Sequence, residues 1–208
     1  MSAASGSGPS ETRQPSLDSV RFDATGWSYQ GEPQPSEVRV WHTPDGDGVG
    51  VYFFAVPPNL PRQATSAAAL TAFYRRMMAG SSARLLEALP IECGNCAAVR
   101  ALLAVPESPS GRSYLGSITV PFRNFSFVIK CQCAENGVTG IKEAILQDRR
   151  LRSSNFETFD PDAEVYDREF PDHPVARARR ILNHVAATLE IAPGTLRLPK
   201  FYPSQHPL

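Results

Sequence analysis

The sequence lacks both a dominant sign of charge and a long hydrophobic run. Its 208 residues carry 21 basic and 21 acidic side chains, which gives a formal net charge of +0. Because no strong positive field surrounds such a chain, neither nucleic acid nor a membrane surface is expected as a partner. No apolar run approaches the roughly 18 residues of a membrane span, and residues 1–15 lack the apolar segment of a secretory signal. These absences predict a cytoplasmic protein.

The motifs that mark many enzymes are absent as well. The glycine-rich stretch from Gly46 to Gly50 is followed neither by a helix start nor by the Lys-Ser or Lys-Thr pair of a phosphate-binding loop. The sequence shows no serine at a sharp strand-to-helix turn and no recognisable cysteine–histidine pair, the two arrangements typical of nucleophilic catalysis. The histidines are interpreted as surface or capping residues: His42, His173, His184 and His206. The sequence therefore predicts no catalytic residue and no cofactor.

Three regions differ in composition. Residues 1–30 contain few large apolar side chains and show no periodicity, which predicts a disordered N-terminal arm. Residues 31–152 alternate between strand and helix patterns and form the predicted α/β domain. Residues 153–208 combine an acidic loop, a docking helix and a proline-rich tail. A chain of this length buries enough surface to fold without a metal or a disulfide.

The middle region predicts an antiparallel sheet accompanied by helices. Alternating apolar residues between Val38 and Phe54, interrupted by a turn, predict a hairpin. Ser66 is the expected cap of a first helix, and a second helix is expected to end at Arg149 and Arg150, where cations suit its C-terminus. Four further runs predict antiparallel strands, at residues 84–91, 97–105, 114–120 and 125–133. The predicted fold class is therefore α+β, with a single sheet of about six strands.

A third helix has the clearest periodicity in the chain. Pro174 is expected at its first position, where a missing amide hydrogen costs nothing. Its apolar side chains recur every three or four residues and form a stripe that must pack on an apolar surface. That surface is either the protein's own sheet or another protein, and the stripe provides the candidate partner-binding residues: Val175, Leu182, Val185 and Leu189.

The order of these elements resembles the PsbP-like fold, in which helices cover one antiparallel sheet. The resemblance extends over about residues 37–152 and is carried by patterns rather than by a signature. These are Val49-Gly50-Val51-Tyr52-Phe53-Phe54, Ala97-Ala98-Val99-Arg100-Ala101-Leu102, and Phe125-Ser126-Phe127-Val128-Ile129-Lys130 before Gly140-Ile141-Lys142-Glu143-Ala144-Ile145. The fold also occurs in a Ran-binding nuclear-import factor and in adaptor chaperones of bacterial type VI secretion.

What the resemblance implies is a non-catalytic scaffold that binds another protein through its sheet face or an added helix. Folds host unrelated activities, so the function follows by analogy. We therefore expect a protein-binding module, such as an adaptor, chaperone or immunity-type protein linked to bacterial secretion. The family has no shared catalytic residues that could be transferred to this chain.

The four cysteines support an alternative, a zinc- or thiol-dependent protein. Cys93 and Cys96 form a CxxC pair, and Cys131 and Cys133 form a CxC pair, so four thiolates could hold a structural zinc ion. Burial of the same thiols in a core or turn fits the pattern equally well. Thiol redox chemistry would require a helix after the CxxC pair, whereas a strand is expected there.

A small-ligand binding domain is a second alternative. It requires an apolar pocket between the sheet and a helix, and aromatic side chains of the predicted elements are the candidates for its walls. These residues are Phe54, Phe73, Tyr114 and Phe127. The same aromatic residues would equally form the hydrophobic core.

Overall fold

The computed structural model describes residues 14–31, 38–107, 111–135, 140–153 and 159–201. The strands are β1 (Val20–Arg21), β2 (Ser28–Tyr29), β3 (Val38–His42), β4 (Gly48–Phe54), β5 (Arg84–Cys93), β6 (Cys96–Pro106), β7 (Arg112–Pro121), β8 (Ser126–Ala134) and β9 (Glu190–Ile191). The helices are α1 (Ala67–Met77), α2 (Ile141–Ser153), α3 (Pro174–Thr188) and α4 (Pro193–Leu196). Within these ranges, no helix has the length and apolar character needed to cross a bilayer.

Seven strands form one antiparallel sheet in the order β2-β3-β4-β8-β7-β6-β5. Strands β5 to β8 follow one another as hairpins, and β4 joins the first hairpin to them by pairing with β8, where Val51 lies opposite Ile129. The predicted hairpin at Val38–Phe54 and the four predicted strands are confirmed. The seventh strand is β2, which the sequence pattern did not reveal because it is only two residues long.

The chain is structured earlier than the predicted boundary of the N-terminal arm. Residues 1–13 lie outside the described residues, but Leu17 and Val20 are buried and β1 pairs with β9. The aromatic rings of Phe22 and Trp27 pack at 5.4 Å, and Phe22 lies 5.2 Å from Trp41. A few well-spaced apolar side chains therefore order residues 17–29, although the segment has no periodicity.

Helix α3 covers one face of the sheet, which we call the α3 face. Phe127, Ile129, Cys131 and Cys133 alternate along β8 toward this face, as their spacing predicted, and all four are buried. A Cβ atom at Gly116 of β7 would lie 2.6 Å from the Cys131 sulfur and 2.8 Å from a Leu182 methyl carbon. The absence of a side chain at this one position lets α3 lie directly on β7 and β8.

Helix α1 packs on the opposite face, which we call the α1 face. Ser66 caps the helix as predicted, because its hydroxyl accepts the amide hydrogen of Ala69 at 3.3 Å. Leu70 is fully buried and packs with Ala88 of β5 and Val99 of β6 in a second, smaller core. Helices on both faces of one antiparallel sheet confirm the predicted fold class.

The proline-rich tail is described as far as Phe201. Leu198 packs against the main core, and Lys200 forms a single β-bridge with Phe122. The Lys200 ammonium group lies 4.4 Å from the centre of the Phe122 ring. This first part of the tail is therefore held against the sheet, while residues 202–208 lie outside the described residues.

We predict that Leu182→Ala lowers the free energy of unfolding by about 3 kcal/mol, because it leaves a cavity between α3 and the sheet. Urea denaturation followed by circular dichroism measures this loss. The control is Val165→Ala, whose side chain is 76% exposed and whose effect should stay within about 0.5 kcal/mol. Equal effects of the two substitutions would contradict the close packing of α3.

Candidate functional site

The α1 face carries a cavity of about 400 Å³ over its central strands. Side chains from β3, β4, β6, β7 and β8 alternate toward it, and we call this surface the open face. The cavity is lined there by Val40, Gly50, Tyr52, Leu103, Leu115, Ser117, Lys130 and Gln132, and Phe54 extends the open face at the end of β4. None of these residues is buried except Gly50, so the cavity is a depression in an accessible sheet surface.

The open face combines an aromatic platform with one cation. Tyr52 and Phe54 stack with their ring centres 6.2 Å apart, and Phe54 is 39% exposed. A Cβ atom at Gly50 would lie 2.9 Å from the Tyr52 ring, so glycine allows the ring to lie across the strand. The Lys130 ammonium group lies 4.9 Å from the centre of that ring. Of the residues that line the cavity, Lys130 is the one with a charged side chain.

A buried ionic network lies at the end of the sheet where β7 begins and β8 ends. Asp162 is 1% exposed. Its carboxylate accepts a hydrogen bond from the Tyr114 hydroxyl at 3.0 Å, pairs with Arg84 and lies 3.8 Å from the Lys142 ammonium nitrogen. Burial and the neighbouring carboxylate raise the pKa of Tyr114, and burial lowers the pKa of Lys142. Asp162 belongs to the acidic loop, and its carboxylate is buried within the fold.

Two arginines of α3 are buried with their counter-ions. Arg177 forms a bidentate pair with Asp47 at 2.8 and 2.9 Å. Arg179 contacts Glu87 and donates to Asp167 at 2.8 Å. The partners come from the β3–β4 turn, from β5 and from the acidic loop. The loop therefore orders because its carboxylates neutralise cations that the docking of α3 removes from water.

Glu135, Glu143 and His173 converge beside this network. The His173 Nε2 atom lies 3.6 Å from a Glu143 oxygen and 3.9 Å from a Glu135 oxygen. Its Nδ1 atom accepts the Val175 amide hydrogen at 3.3 Å, so His173 caps α3. The interaction with the nearby His173 imidazole lowers the pKa of Glu143 to about 2, against the opposing effect of burial. One potential ligand atom from each of these three residues lies within 4.8 Å of the other two. Among the described residues, no other group of three His, Cys, Asp or Glu side chains is this close together.

His173 is a capping residue, as the sequence predicted, but the sequence did not reveal its two carboxylate neighbours. Glu135 follows the end of β8, Glu143 lies in the first turn of α2, and His173 precedes α3. The only local signal is the dipeptide His173-Pro174, which predicts a helix start. Glu135 and Glu143 are eight residues apart on consecutive elements, and His173 lies 30 residues further along the chain. This combination matches no known ligand spacing, so the sequence did not reveal the cluster.

The structure does not gather the four cysteines. Cys93 and Cys96 lie opposite each other across the turn formed by Gly94 and Asn95, and Lys200 donates to the Cys96 sulfur at 3.0 Å. The second pair lies under α3, on β8, as Cys131 and Cys133. All four thiols are free and buried. Burial raises the pKa of Cys93 to about 12, and the pKa of Cys133 is also raised, mainly by its hydrogen bond with Cys131.

The candidate partner-binding stripe of α3 is part of the core. Three of its residues are fully buried and Leu189 is 5% exposed: Val175, Leu182, Val185 and Leu189. They pack against the protein's own sheet, so the assignment of these residues to a partner is corrected. The periodicity established that the helix needs an apolar surface, but a stripe looks the same whether that surface is internal or external.

The four aromatic residues of the small-ligand alternative do not line one cavity. Tyr114 and Phe127 are fully buried on the α3 face, Phe73 is buried in α1, and Phe54 lies on the open face. Phe53 is the register partner of Phe127, so Phe54 points to the opposite side of the sheet. The proposed pocket is therefore corrected, because its walls are divided between two faces.

We predict that the thiols of the folded protein react with iodoacetamide at least about 100-fold more slowly than in urea, because burial disfavours the reactive thiolate. Mass spectrometry of timed samples measures the rates, and four modifications per chain in urea provide the control. Rapid modification of Cys93 or Cys96 in the folded protein would revive the thiol-dependent alternative.

We predict a pH-dependent effect of Glu143→Gln. The folded pKa of about 2 lies below the ordinary value of 4.5, so the carboxylate stabilises the fold above pH 4.5, and this contribution is lost as the pH falls toward 2. The substitution should lower the free energy of unfolding by about 2 kcal/mol at neutral pH, with the difference vanishing near pH 2. Urea titrations at several pH values measure it, with exposed Glu92→Gln as control. If the difference in free energy of unfolding between Glu143→Gln and the unsubstituted protein does not change with pH, the pairing with His173 is contradicted.

Comparisons with known proteins give likenesses of structure alone. No protein-family model matches the chain, and no curated protein matches its sequence. Similar solved structures include the Ran-binding protein Mog1p of Saccharomyces cerevisiae, with 10% identity, 88% of this chain and 96% of that chain covered, and a TM-score of 0.47. LpqN of Mycobacterium tuberculosis, involved in cell envelope biogenesis, has 9% identity, coverage of 84% and 83%, and a TM-score of 0.40.

A protein of Bacteroides thetaiotaomicron has 12% identity, coverage of 57% of this chain and 39% of that chain, and a TM-score of 0.32. At these TM-scores the likenesses carry no inference about function. The fold assignment stands on this chain's own topology, a single antiparallel sheet with helices on both faces.

Proposed function

We propose that this chain is a non-catalytic protein-binding module whose open face receives an apolar segment of another protein. The observation that carries the proposal is the cavity of about 400 Å³ on the open face, which is lined by Tyr52, Leu103 and Leu115 among others. With the apolar stripe of α3 buried against the α3 face, the open face is the surface on which apolar side chains from several strands converge. Adaptor, chaperone and immunity-type proteins form the class in which such a module belongs.

The charge of the open face specifies the chemistry of the segment. Lys130 is exposed and lies over Tyr52, and no acidic residue lines the cavity. A carboxylate on the incoming segment would pair with Lys130, while apolar side chains would fill the depression beside Leu115. Such pairing fixes the orientation and the specificity of a complex more than its affinity. The partner is therefore expected to present apolar residues together with an Asp or Glu.

The apolar surface also extends beyond the cavity. Phe54 stacks on Tyr52 and remains 39% exposed at the end of β4. A small molecule that filled the cavity would leave this ring in water, whereas a protein segment that crosses the strands would cover it. Exposed aromatic side chains next to a depression are typical anchors of protein interfaces.

A photo-crosslinking residue at Ser117, on the open face, tests the proposal in cells that express the protein. We predict a specific adduct with another protein at this position, and none when the residue replaces Val165, which is exposed elsewhere. With the purified partner, Lys130→Glu should weaken binding at least about tenfold and Phe54→Ser several-fold. The control Leu151→Ser, on α2, should bind normally.

Unchanged melting temperatures are required for all three variants, because the test concerns recognition and not folding. Adducts only at position 165, or equal binding by Lys130→Glu, would contradict the proposal. A small molecule found in the native protein by mass spectrometry, without any protein adduct at position 117, would replace it with the small-ligand alternative.

A further inference from the structure

Two carboxylates and an imidazole nitrogen face a common point at the end of the sheet. The Nε2 atom of His173 lies 3.6 Å from the nearest Glu143 oxygen and 3.9 Å from the nearest Glu135 oxygen. A cation about 2.1 Å from each of three such atoms requires them to lie about 3.0–3.6 Å apart. The ligand atoms of all three residues lie within 4.8 Å of one another, so contraction of the cluster around a cation would bring them into a coordination geometry.

The atoms that face this point are buried and have no hydrogen-bond partner. They are the Nε2 atom of His173 and both carboxylate oxygens of Glu143. The His173 side chain is only 9% exposed and the Glu135 side chain 10%. Buried polar atoms nearly always have a hydrogen-bond or ligand partner, and a cation bound at this point would contact all three atoms.

We propose that Glu135, Glu143 and His173 bind a divalent first-row metal cation. Two oxygen ligands and one imidazole nitrogen suit Mn²⁺ or Zn²⁺ better than Ca²⁺ or Mg²⁺, which prefer oxygen ligands throughout. The proposal is independent of the open face, which lies on the other side of the sheet.

A cavity of about 350 Å³ adjoins the cluster and provides access. Glu135 and His173 line it together with Phe170, and the exposed residues Glu169 and Asp172 also contribute to its walls. The cavity would hold the water molecules that complete the coordination of the cation. Three protein ligands with an open position are typical of metal sites that exchange their remaining ligands.

Two cationic side chains and one further carboxylate lie close to the cluster and affect how strongly it attracts a metal cation. Arg112 lies 3.7 Å from a Glu143 oxygen, and the Lys142 ammonium nitrogen lies 3.5 Å from the His173 Nδ1 atom. Both cations oppose a metal. Asp162 lies 3.8 Å from Lys142 and offsets its charge. Arg112 offsets one of the two carboxylates, Glu135 and Glu143, so the cluster retains a single negative charge toward the two charges of the metal.

Metal binding also changes the protonation of the imidazole. Because Nδ1 accepts the Val175 amide hydrogen, the ring proton lies on Nε2 in the metal-free protein. A cation that takes the Nε2 lone pair shifts this proton to Nδ1 and ends the hydrogen bond with Val175. The Val175 amide signal in NMR spectra therefore reports occupancy of this site in particular.

Titration of the full chain with Mn²⁺, followed by electron paramagnetic resonance, tests the proposal. We expect about one ion per chain, nitrogen coupling from one imidazole, and a shift of the Val175 amide when diamagnetic Zn²⁺ is used. Glu135→Gln, Glu143→Gln and His173→Asn should each weaken binding at least about tenfold. Asn is a strong N-cap, so His173→Asn removes the ligand and retains the cap.

The matched control is Glu169→Gln, which alters the same cavity outside the cluster and should bind Mn²⁺ normally. Co²⁺ spectra without a sulfur charge-transfer band would show that the cysteines are not the ligands. The proposal is overturned if the folded protein binds no ion at millimolar Mn²⁺ or Zn²⁺. It is equally overturned if the three variants bind as well as Glu169→Gln, because the cluster would then be only a water-bridged ion pair.

Discussion

The close approach of α3 to strands β7 and β8 is the constraint on which the rest of the structure depends. It is possible because Gly116 leaves room for Leu182 and the Cys131 sulfur at the centre of the sheet. A larger residue would push the helix outward and separate the apolar stripe from the core. This contact decides which face of the sheet is sealed and which can interact with other molecules.

The docking of α3 also explains the charged residues around it. The helix brings Arg177 and Arg179 into the protein, and uncompensated buried charges would be strongly destabilising. Asp47 and Asp167 supply the compensation from the β3–β4 turn and the acidic loop. The N-terminus of the same helix places His173 between Glu135 and Glu143. The polar cluster therefore forms at the N-terminus of α3. The open face remains accessible because α3 packs on the opposite side of the sheet.

The sequence predicted those features that local rules determine. Strand alternation, the turn before β4, the Ser66 cap and the start of α3 at Pro174 each depend on neighbouring residues, and each is found in the structure. The sheet order and the partners of buried charges depend on residues far apart in the chain. Periodicity shows only that α3 is amphipathic, so the sequence left open whether its stripe packs on the sheet or on a partner. The Glu135, Glu143 and His173 cluster was missed because its members belong to three different elements.

The pairing of β4 with β8 has a consequence for how the chain acquires its fold. Val51 and Ile129 are 78 residues apart, whereas β5 to β8 pair with their immediate neighbours. Contacts between distant segments form slowly, because a long loop must close before any contact compensates for the lost entropy. On a translating ribosome the β3–β4 hairpin therefore emerges long before β8, with an unpaired edge along β4 that could associate with another chain.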